Sequence, residues 1–394
     1  MQRLLIIGAG FAGFWSAISA VRQARELEQR NELEVVVITK DEFHSIRPRF
    51  YENTLDNLRV PLSDYFEPLD IKLIQADVTD INPEQRTVTY HDNQVLTYDC
   101  LIFAAGSQMQ KPDIPGFEST FNVDSFSGAS KLDAHIKTLA KAGFHTPESK
   151  TFVVVGGGFT GLELVTALPE KLASLLNNTT DPVELFLIER SQKIASGYSR
   201  QAQQYITEQL KSAGIRVLIN EEVSSIDSDK LTLKSGKTIK TNTVMWAAGL
   251  RANPLTKDLA NNRDPLGRVA VNQLLQLPSF NSVFVAGDSA KVLVDEQNHA
   301  VMSCQHAIPQ GKFAGHNAVN ILFNEPLKAY SQPSYVTCLD LGSEAALFTQ
   351  GWNRDVDKVG SEAKNLKTQI VTQWIYPAAD VASTLKMSKP ELFS

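Results

Sequence analysis

A short apolar strand, a turn of three spaced glycines and an amphipathic helix occur twice in this chain. That duplication restricts the fold more than any other feature. The first copy runs from Arg3–Ile7 into Gly8-Ala9-Gly10-Phe11-Ala12-Gly13, with a helix predicted to about Glu28 and a β-branched strand at Val35–Ile38. Short alternating runs from Ile71 to Tyr98, beginning with Lys72-Leu73-Ile74-Gln75, read as an antiparallel meander, and the copy closes on Ala104-Ala105-Gly106. The second copy runs from Thr151–Val155 into Gly156-Gly157-Gly158-Phe159-Thr160-Gly161. A helix follows to about Leu176, then a strand from Val183 to Ile188, a hairpin from Ile215 to Ile239, and Ala247-Ala248-Gly249. The spans from Gly8 to Gly106 and from Gly156 to Gly249 are nearly equal, as expected of an internal repeat.

Such turns serve anions. The first glycine permits the tight turn, the second lets a pyrophosphate approach the backbone, and the third lets the helix pack close to the strand with its positive end toward the phosphate. Two turns therefore predict two bound dinucleotides. At the end of the second strand of a unit, a carboxylate can bond ribose hydroxyls and repel a 2′-phosphate. Glu189 stands there in the second copy, which favours NADH over NADPH. Its neighbour Arg190 is read either as a 2′-phosphate ligand or as a solvated surface charge. In the first copy the position is Thr39, followed by Lys40 and Asp41, with Thr39 able to bond a ribose hydroxyl and Lys40 to approach phosphate or adenine.

A third block holds Val285-Ala286-Gly287-Asp288, then Cys304-Gln305-His306-Ala307-Ile308-Pro309-Gln310-Gly311 opening a helix to about Phe323. Strands from Tyr335 to Leu341 and Glu344 to Thr349 and a helix from Glu362 to Ile375 follow. The expected fold is α/β, with two Rossmann-like dinucleotide-binding domains and a small C-terminal α+β element. The first domain would be discontinuous, over 1–115 and 250–330, the second would cover 116–249, and 331–394 would form the C-terminal element.

Composition narrows the partners. A net charge of −6 without a basic run argues against nucleic acid. The three cysteines, Cys100, Cys304 and Cys338, show neither paired-redox nor metal-ligand spacing, so no metal is expected. Cys304 and Cys338 read best as buried thiols. The ordered pattern begins at Arg3, leaving no room for a secretion signal ahead of it, and a cytoplasmic protein is expected. No run of 18 apolar residues is present, which leaves contact with the inner face of a membrane as the available lipid association.

The motifs together resemble the two-dinucleotide-binding-domain flavoproteins over about Met1 to Phe323. The segments Phe43-His44-Ser45-Ile46-Arg47-Pro48 and Gln305-His306-Ala307 look most like the type II NADH dehydrogenases among them. The resemblance implies FAD in the first domain and NAD(P)H in the second, with Asp288 on the FAD ribityl chain and Arg47-Pro48 beside the flavin, Arg47 on phosphate. Gln305, His306 and Ala307 would present a helix start to the flavin pyrimidine edge. Glu163 would accept a hydrogen bond from the nicotinamide carboxamide. The implied FAD contacts are Gly8, Gly10, Phe11, Ala12, Gly13, Thr39, Lys40, Arg47, Pro48, Val78, Ala105, Gly106, Gly287, Asp288, Gln305, His306 and Ala307. Those for the nicotinamide nucleotide are Gly156, Gly158, Phe159, Thr160, Gly161, Glu163, Glu189, Arg190, Ala248 and Gly249.

The implied reaction is hydride transfer from nicotinamide C4 to flavin N5 and then delivery to a small acceptor, quinone-like or dye-like, with Glu163 and Gln305 as the catalytic residues. Two departures from that family stand out. Pro309 occupies the place of its second glutamine, with Gln310 following, and the C-terminal helix carries only a short stripe of Leu366, Ile370, Val371, Trp374 and Ile375. That stripe reads as core, as a dimer contact or as a patch for the membrane surface. Two other readings share the fold: a redox-responsive binding protein like the apoptosis-inducing factors, and a ferredoxin-type reductase, against which the acidic balance speaks.

Overall fold

A computed structural model describes residues 1–175 and 183–391. In chain order its main elements are β1 (Gln2–Ile7), α1 (Phe11–Glu26), β2 (Leu33–Thr39), β3 (Lys72–Gln75), β4 (Cys100–Phe103), α2 (Phe126–Ala142), β5 (Thr151–Val155), α3 (Phe159–Leu175) and β6 (Glu184–Glu189). Then come α4 (Arg200–Ser212), β7 (Ile215–Ile219), β8 (Thr243–Trp246), β9 (Phe280–Val285), α5 (Cys304–Leu322), β10 (Val336–Asp340), β11 (Ala346–Gln350), β12 (Asp355–Val359), α6 (Gly360–Gln369) and α7 (Val381–Met387).

The first domain is built on a sheet in the order β9-β4-β1-β2-β3, all parallel, with Gln276–Leu277 antiparallel beside β9. The second is built on β7-β6-β5-β8, also parallel. Thus β3-β2-β1-β4 and β7-β6-β5-β8 follow the same order, and the duplicated sequence is a duplicated topology. β1 and β5 lie at the centre of their sheets, and their apolar runs are buried because helices cover one face and a meander the other.

Two expectations need correction. Lys72–Gln75 and Ile215–Ile219 are parallel edge strands of the main sheets rather than arms of the antiparallel meanders. An edge strand is half-exposed, so its polar and apolar residues alternate as they do in a hairpin. The meanders themselves are three-stranded and span Val78–Thr97 and Val223–Lys240. The C-terminal helix expected over Glu362–Ile375 instead comprises α6 and a wider π-type turn at Ile370–Trp374. Leu176, the expected end of α3, lies outside the described residues.

The chain crosses between the domains twice, and the crossings pair as short antiparallel strands, Ser107–Met109 with Leu250–Ala252. β10, β11 and β12 form an antiparallel sheet that, with α6, rests on α3 of the second domain. No helix among the described residues is long and apolar enough to cross a membrane.

Candidate functional site

At the first glycine turn, Gly8 has φ +95°, and a Cβ there would stand 2.6 Å from the Ala104 carbonyl oxygen. A Cβ on Gly10 would meet nothing within 4 Å, and one on Gly13 would lie 1.9 Å from the Gly8 carbonyl oxygen. These are the three separate roles of the fingerprint: a left-handed turn, open room over the backbone, and a helix pressed onto its own strand. The Phe14 N–H bonds to the Gly10 carbonyl, so the N–H groups of Phe11, Ala12 and Gly13 precede the first intrahelical bond of α1 and can face an anion. His44 is fully buried and donates from Nδ1 to the Ala9 carbonyl at 3.2 Å, while its ring stacks on Phe14. Burial pulls its pKa down to about 4, so it braces the turn as a neutral imidazole.

The second turn repeats the geometry. Gly156 has φ +111°, Gly158 opens on free space, and a Cβ on Gly161 would lie 1.8 Å from the Gly156 carbonyl oxygen. Here the carboxylate at the strand end is built into the turn. Glu189 accepts from the Gly157 N–H through Oε2 and from the Ser191 N–H through Oε1, both at 2.7 Å. Burial pushes its carboxyl up, but the Ser191 and Gly157 bonds outweigh that and hold it below the usual range. Arg190 beside it is exposed, and Phe159, just past Gly158, is 38% exposed. Thr160 is exposed at the same helix start, and Ala248 and Gly249 follow β8, where the Ala248 Cβ sets the floor against which Gly156 must lack a side chain.

Asp288 lies one residue past Gly287 at the end of β9. Its Oδ2 accepts from the Ser107 hydroxyl at 2.5 Å and lies 4.0 Å from Arg47. Arg47 also donates to the Ser107 hydroxyl and carbonyl and is paired with Asp124. Its guanidinium thus lies among carboxylates rather than on a glycine turn. Pro48 is in the single 3-10 turn that carries it, Arg47–Arg49. Burial raises the Asp288 carboxyl above its ordinary value against the pull of Ser107. Ser107 belongs to the crossing strand, and nothing in its local sequence distinguishes it.

The start of α5 adjoins this corner, since a Cβ on Gly287 would touch Ala12 of α1 and Ala307 of α5. The side chain of Gln305 is turned onto the C-terminal element: Nε2 donates to the Val336 carbonyl at 2.9 Å and Oε1 accepts from the Val336 N–H at 3.3 Å. Pro309 has no N–H for the Gln305 carbonyl four residues earlier, and Gln332 Nε2 donates to it instead at 3.2 Å. His306 is buried among Tyr330, Tyr335 and Trp352, its Nδ1 3.2 Å from the Tyr330 hydroxyl, and burial lowers it to about 4. Of the expected trio, Ala307 alone touches the corner through its side chain.

Glu163 is equally committed. Its Oε1 accepts from Lys367 Nζ at 2.7 Å and from the Asp340 N–H at 3.1 Å, in a setting where Glu163 and Lys367 are both buried. Asp340 also takes Lys364 Nζ at 2.6 Å and the Tyr51 hydroxyl at 3.0 Å. Burial pushes the Glu163 carboxyl up to about 7, whereas Lys367, penalised by the same burial, is held above its ordinary value by that carboxylate. Lys367 and Asp340 come from the C-terminal element, and no motif announced them.

The remaining residues are peripheral to these groups. Thr39 ends β2, Lys40 pairs with Asp77 at the surface, Val78 opens the first meander, and Ala105 and Gly106 (φ +66°) lead into the crossing strand. The cysteines are free, and burial pushes the thiols of Cys304 and Cys338 up to about 11. Among the described residues no cluster has the makings of a metal site.

The chain is similar over nearly its whole length to several known proteins. An NADH dehydrogenase-like protein of Mycobacterium tuberculosis is 39% identical over 381 residues, covering 96% of this chain and 95% of that protein. A type II NADH:quinone oxidoreductase of Staphylococcus saprophyticus is 23% identical over 405 residues, covering 98% of each. Among solved structures, the sulfide:quinone oxidoreductase of Aquifex aeolicus shares the fold with a TM-score of 0.77 at 17% identity, covering 99% of this chain and 92% of that one. NDH2 of Plasmodium falciparum shares it at 0.74 and 15%, covering 98% and 97%. Residues 2–311 match the pyridine nucleotide-disulphide oxidoreductases, and the chain belongs to that family of NAD(H)-dependent flavoprotein oxidoreductases.

Proposed function

We propose that this enzyme oxidises NADH through FAD and passes the electrons to a small acceptor of quinone type. The observation that carries the reading is the pair of cradles with the same three-glycine geometry, one beside Asp288 and the other closed by Glu189. Bound FAD would supply the two-electron chemistry linking NADH to the second substrate.

The chain's own residues bind and orient. The start of α1 would receive the FAD pyrophosphate, and Asp288 a ribityl hydroxyl through the oxygen that Ser107 leaves free. The start of α5 adds its dipole beside Gly287, favouring negative charge in the cleft. At the second cradle the Glu189 carboxylate, fixed by two N–H groups, would accept from ribose hydroxyls and repel a 2′-phosphate, which supports NADH over NADPH. A disulfide acceptor is disfavoured because the three cysteines are unpaired and Cys304 and Cys338 resist ionisation. Gln305 is bonded to Val336, so an acceptor would have to be oriented by other groups or displace that contact.

The test is steady-state NADH oxidation by the flavin-loaded chain with a short-chain quinone, a dithiol-forming disulfide and oxygen offered separately. Turnover fastest with the quinone supports the reading; turnover only with the disulfide or with oxygen contradicts it.

A further inference from the structure

Gln310 is 1% exposed, in the second turn of α5, and its Oε1 accepts from the Gly287 N–H at 2.7 Å. Gly287 has φ +75°, and a Cβ there would stand 2.9 Å from the Ala12 side chain, so the corner is both left-handed and squeezed against the first cradle. The Gly287 N–H bonds to the Gln310 side chain and not into the sheet. The preceding Ala286 N–H bonds to Phe103 at 3.0 Å, and the ladder stops there. Without Gln310 the Gly287 N–H would be buried and unpaired, a penalty large enough to move the corner.

The following two residues show what the corner is held for. Asp288 is steadied by Ser107, and Ser289 donates to the Gly106 carbonyl at 2.8 Å. Gln310, Ser107 and the Gly106 carbonyl thus fix the successive residues Gly287, Asp288 and Ser289, and Asp288 keeps a carboxylate oxygen without a protein partner among the described residues. The Nε2 of Gln310 is itself buried without a partner. A leucine would fill the same space and spare the unpaired Nε2 but would leave the Gly287 N–H without its acceptor, so packing alone does not account for glutamine here.

We propose that Gln310 is a positioning residue for the flavin nucleotide: by holding the Gly287 N–H it sets the orientation in which Asp288 meets the ribityl chain. The inference rests on the first cradle being the FAD site. It gives the glutamine after Pro309 a role directed inward, at the cofactor, rather than toward the acceptor.

The test measures FAD release from the full-length holoenzyme on dilution, by recovery of free-flavin fluorescence, in Gln310→Leu, Gln310→Glu, Asp288→Ala and the Gln310→Leu/Asp288→Ala double variant. Gln310→Leu should weaken FAD about tenfold or more, the fold-change of losing one well-paired buried hydrogen bond. Gln310→Glu keeps the acceptor oxygen and should stay within a few-fold of the parent. Because Gln310 acts through Asp288, the double variant should be no weaker than Asp288→Ala alone. Parental affinity in Gln310→Leu, or losses that multiply in the double variant, would overturn the proposal. If Gln310→Leu does not fold, Gln310→Asn, whose amide falls short of Gly287, takes its place in the same cycle. A parent chain that binds no FAD would instead overturn the assignment of the cradle itself.

Discussion

Glu163 sits two residues past the last glycine of the second cradle, where the sequence suggests a nicotinamide ligand, yet its carboxylate is held by Lys367 and by the Asp340 N–H. Both partners lie far along the chain, in a segment whose pattern shows only short strands and a helix, so the pairing was not legible. Position in the helix was readable; the group that would meet the side chain was not. Breaking a buried ion pair from one side strands a charge and costs about 3–5 kcal/mol. Lys367→Met should therefore lower the urea midpoint strongly, and adding Glu163→Gln should restore part of the loss. Equal stability of Lys367→Met and the parent would show that the pair carries no such weight. Glu189, by contrast, was legible from its place after an apolar strand, and its contact with the Gly157 N–H puts it in the cradle. Glu189→Ala should raise the KM for NADH about tenfold while that for NADPH changes less, as expected when one charge-assisted bond and one repulsion are removed. An unchanged preference between the two coenzymes would remove Glu189 from that role.

At the scale of elements, the close contact of α1 and α5 links the first cradle to the Asp288 corner. A Cβ on Gly311 would lie 2.3 Å from the Ala12 carbonyl oxygen, and one on Gly315 2.1 Å from that of Ser16. Ser16 adds a bond across the seam, its hydroxyl shared between the Ala12 and Gly311 carbonyls. Gly315→Val must push the helices apart against backbone atoms that cannot yield, and overpacking of this kind costs about 1–3 kcal/mol or more. Since α1 carries the cradle, the variant should lower the melting temperature and release FAD; one that keeps both would show that the seam tolerates separation. The glycine turns themselves were legible because each glycine has a distinct steric job close in sequence. The edge strands β3 and β7 were not, because alternation along a half-exposed strand does not reveal whether its neighbour runs parallel or antiparallel.

Across the whole molecule, three buried histidines are kept neutral. Burial lowers His44, His306 and His316 to about 4. In the unfolded chain they take protons near pH 6.5, so between about 6.5 and 4 the unfolded state binds more protons and stability falls as pH falls. Each contributes a slope of up to about 1.4 kcal/mol per pH unit in that window. Glu163 has the opposite sign, because its carboxyl is raised: its contribution is present at acid pH and lost as pH rises through about 7. Urea midpoints measured from pH 7 to pH 4 should therefore fall, the three histidines outweighing the raised carboxyls of Glu163, Asp258 and Asp288, and a flat profile would contradict the buried, neutral state of the histidines. The domain plan was readable at this scale because the same programme is written twice; the way the C-terminal sheet reaches both Gln305 and Glu163 was not, since those contacts join segments far apart in the chain.

The most direct measurement is anaerobic addition of NADH to the purified chain while its visible flavin absorption is recorded. An FAD site and an NADH site in one chain predict a yellow protein whose absorption bleaches on the addition and returns when a quinone follows. A chain that takes up no FAD, or a flavin band that NADH leaves unchanged, would contradict the account.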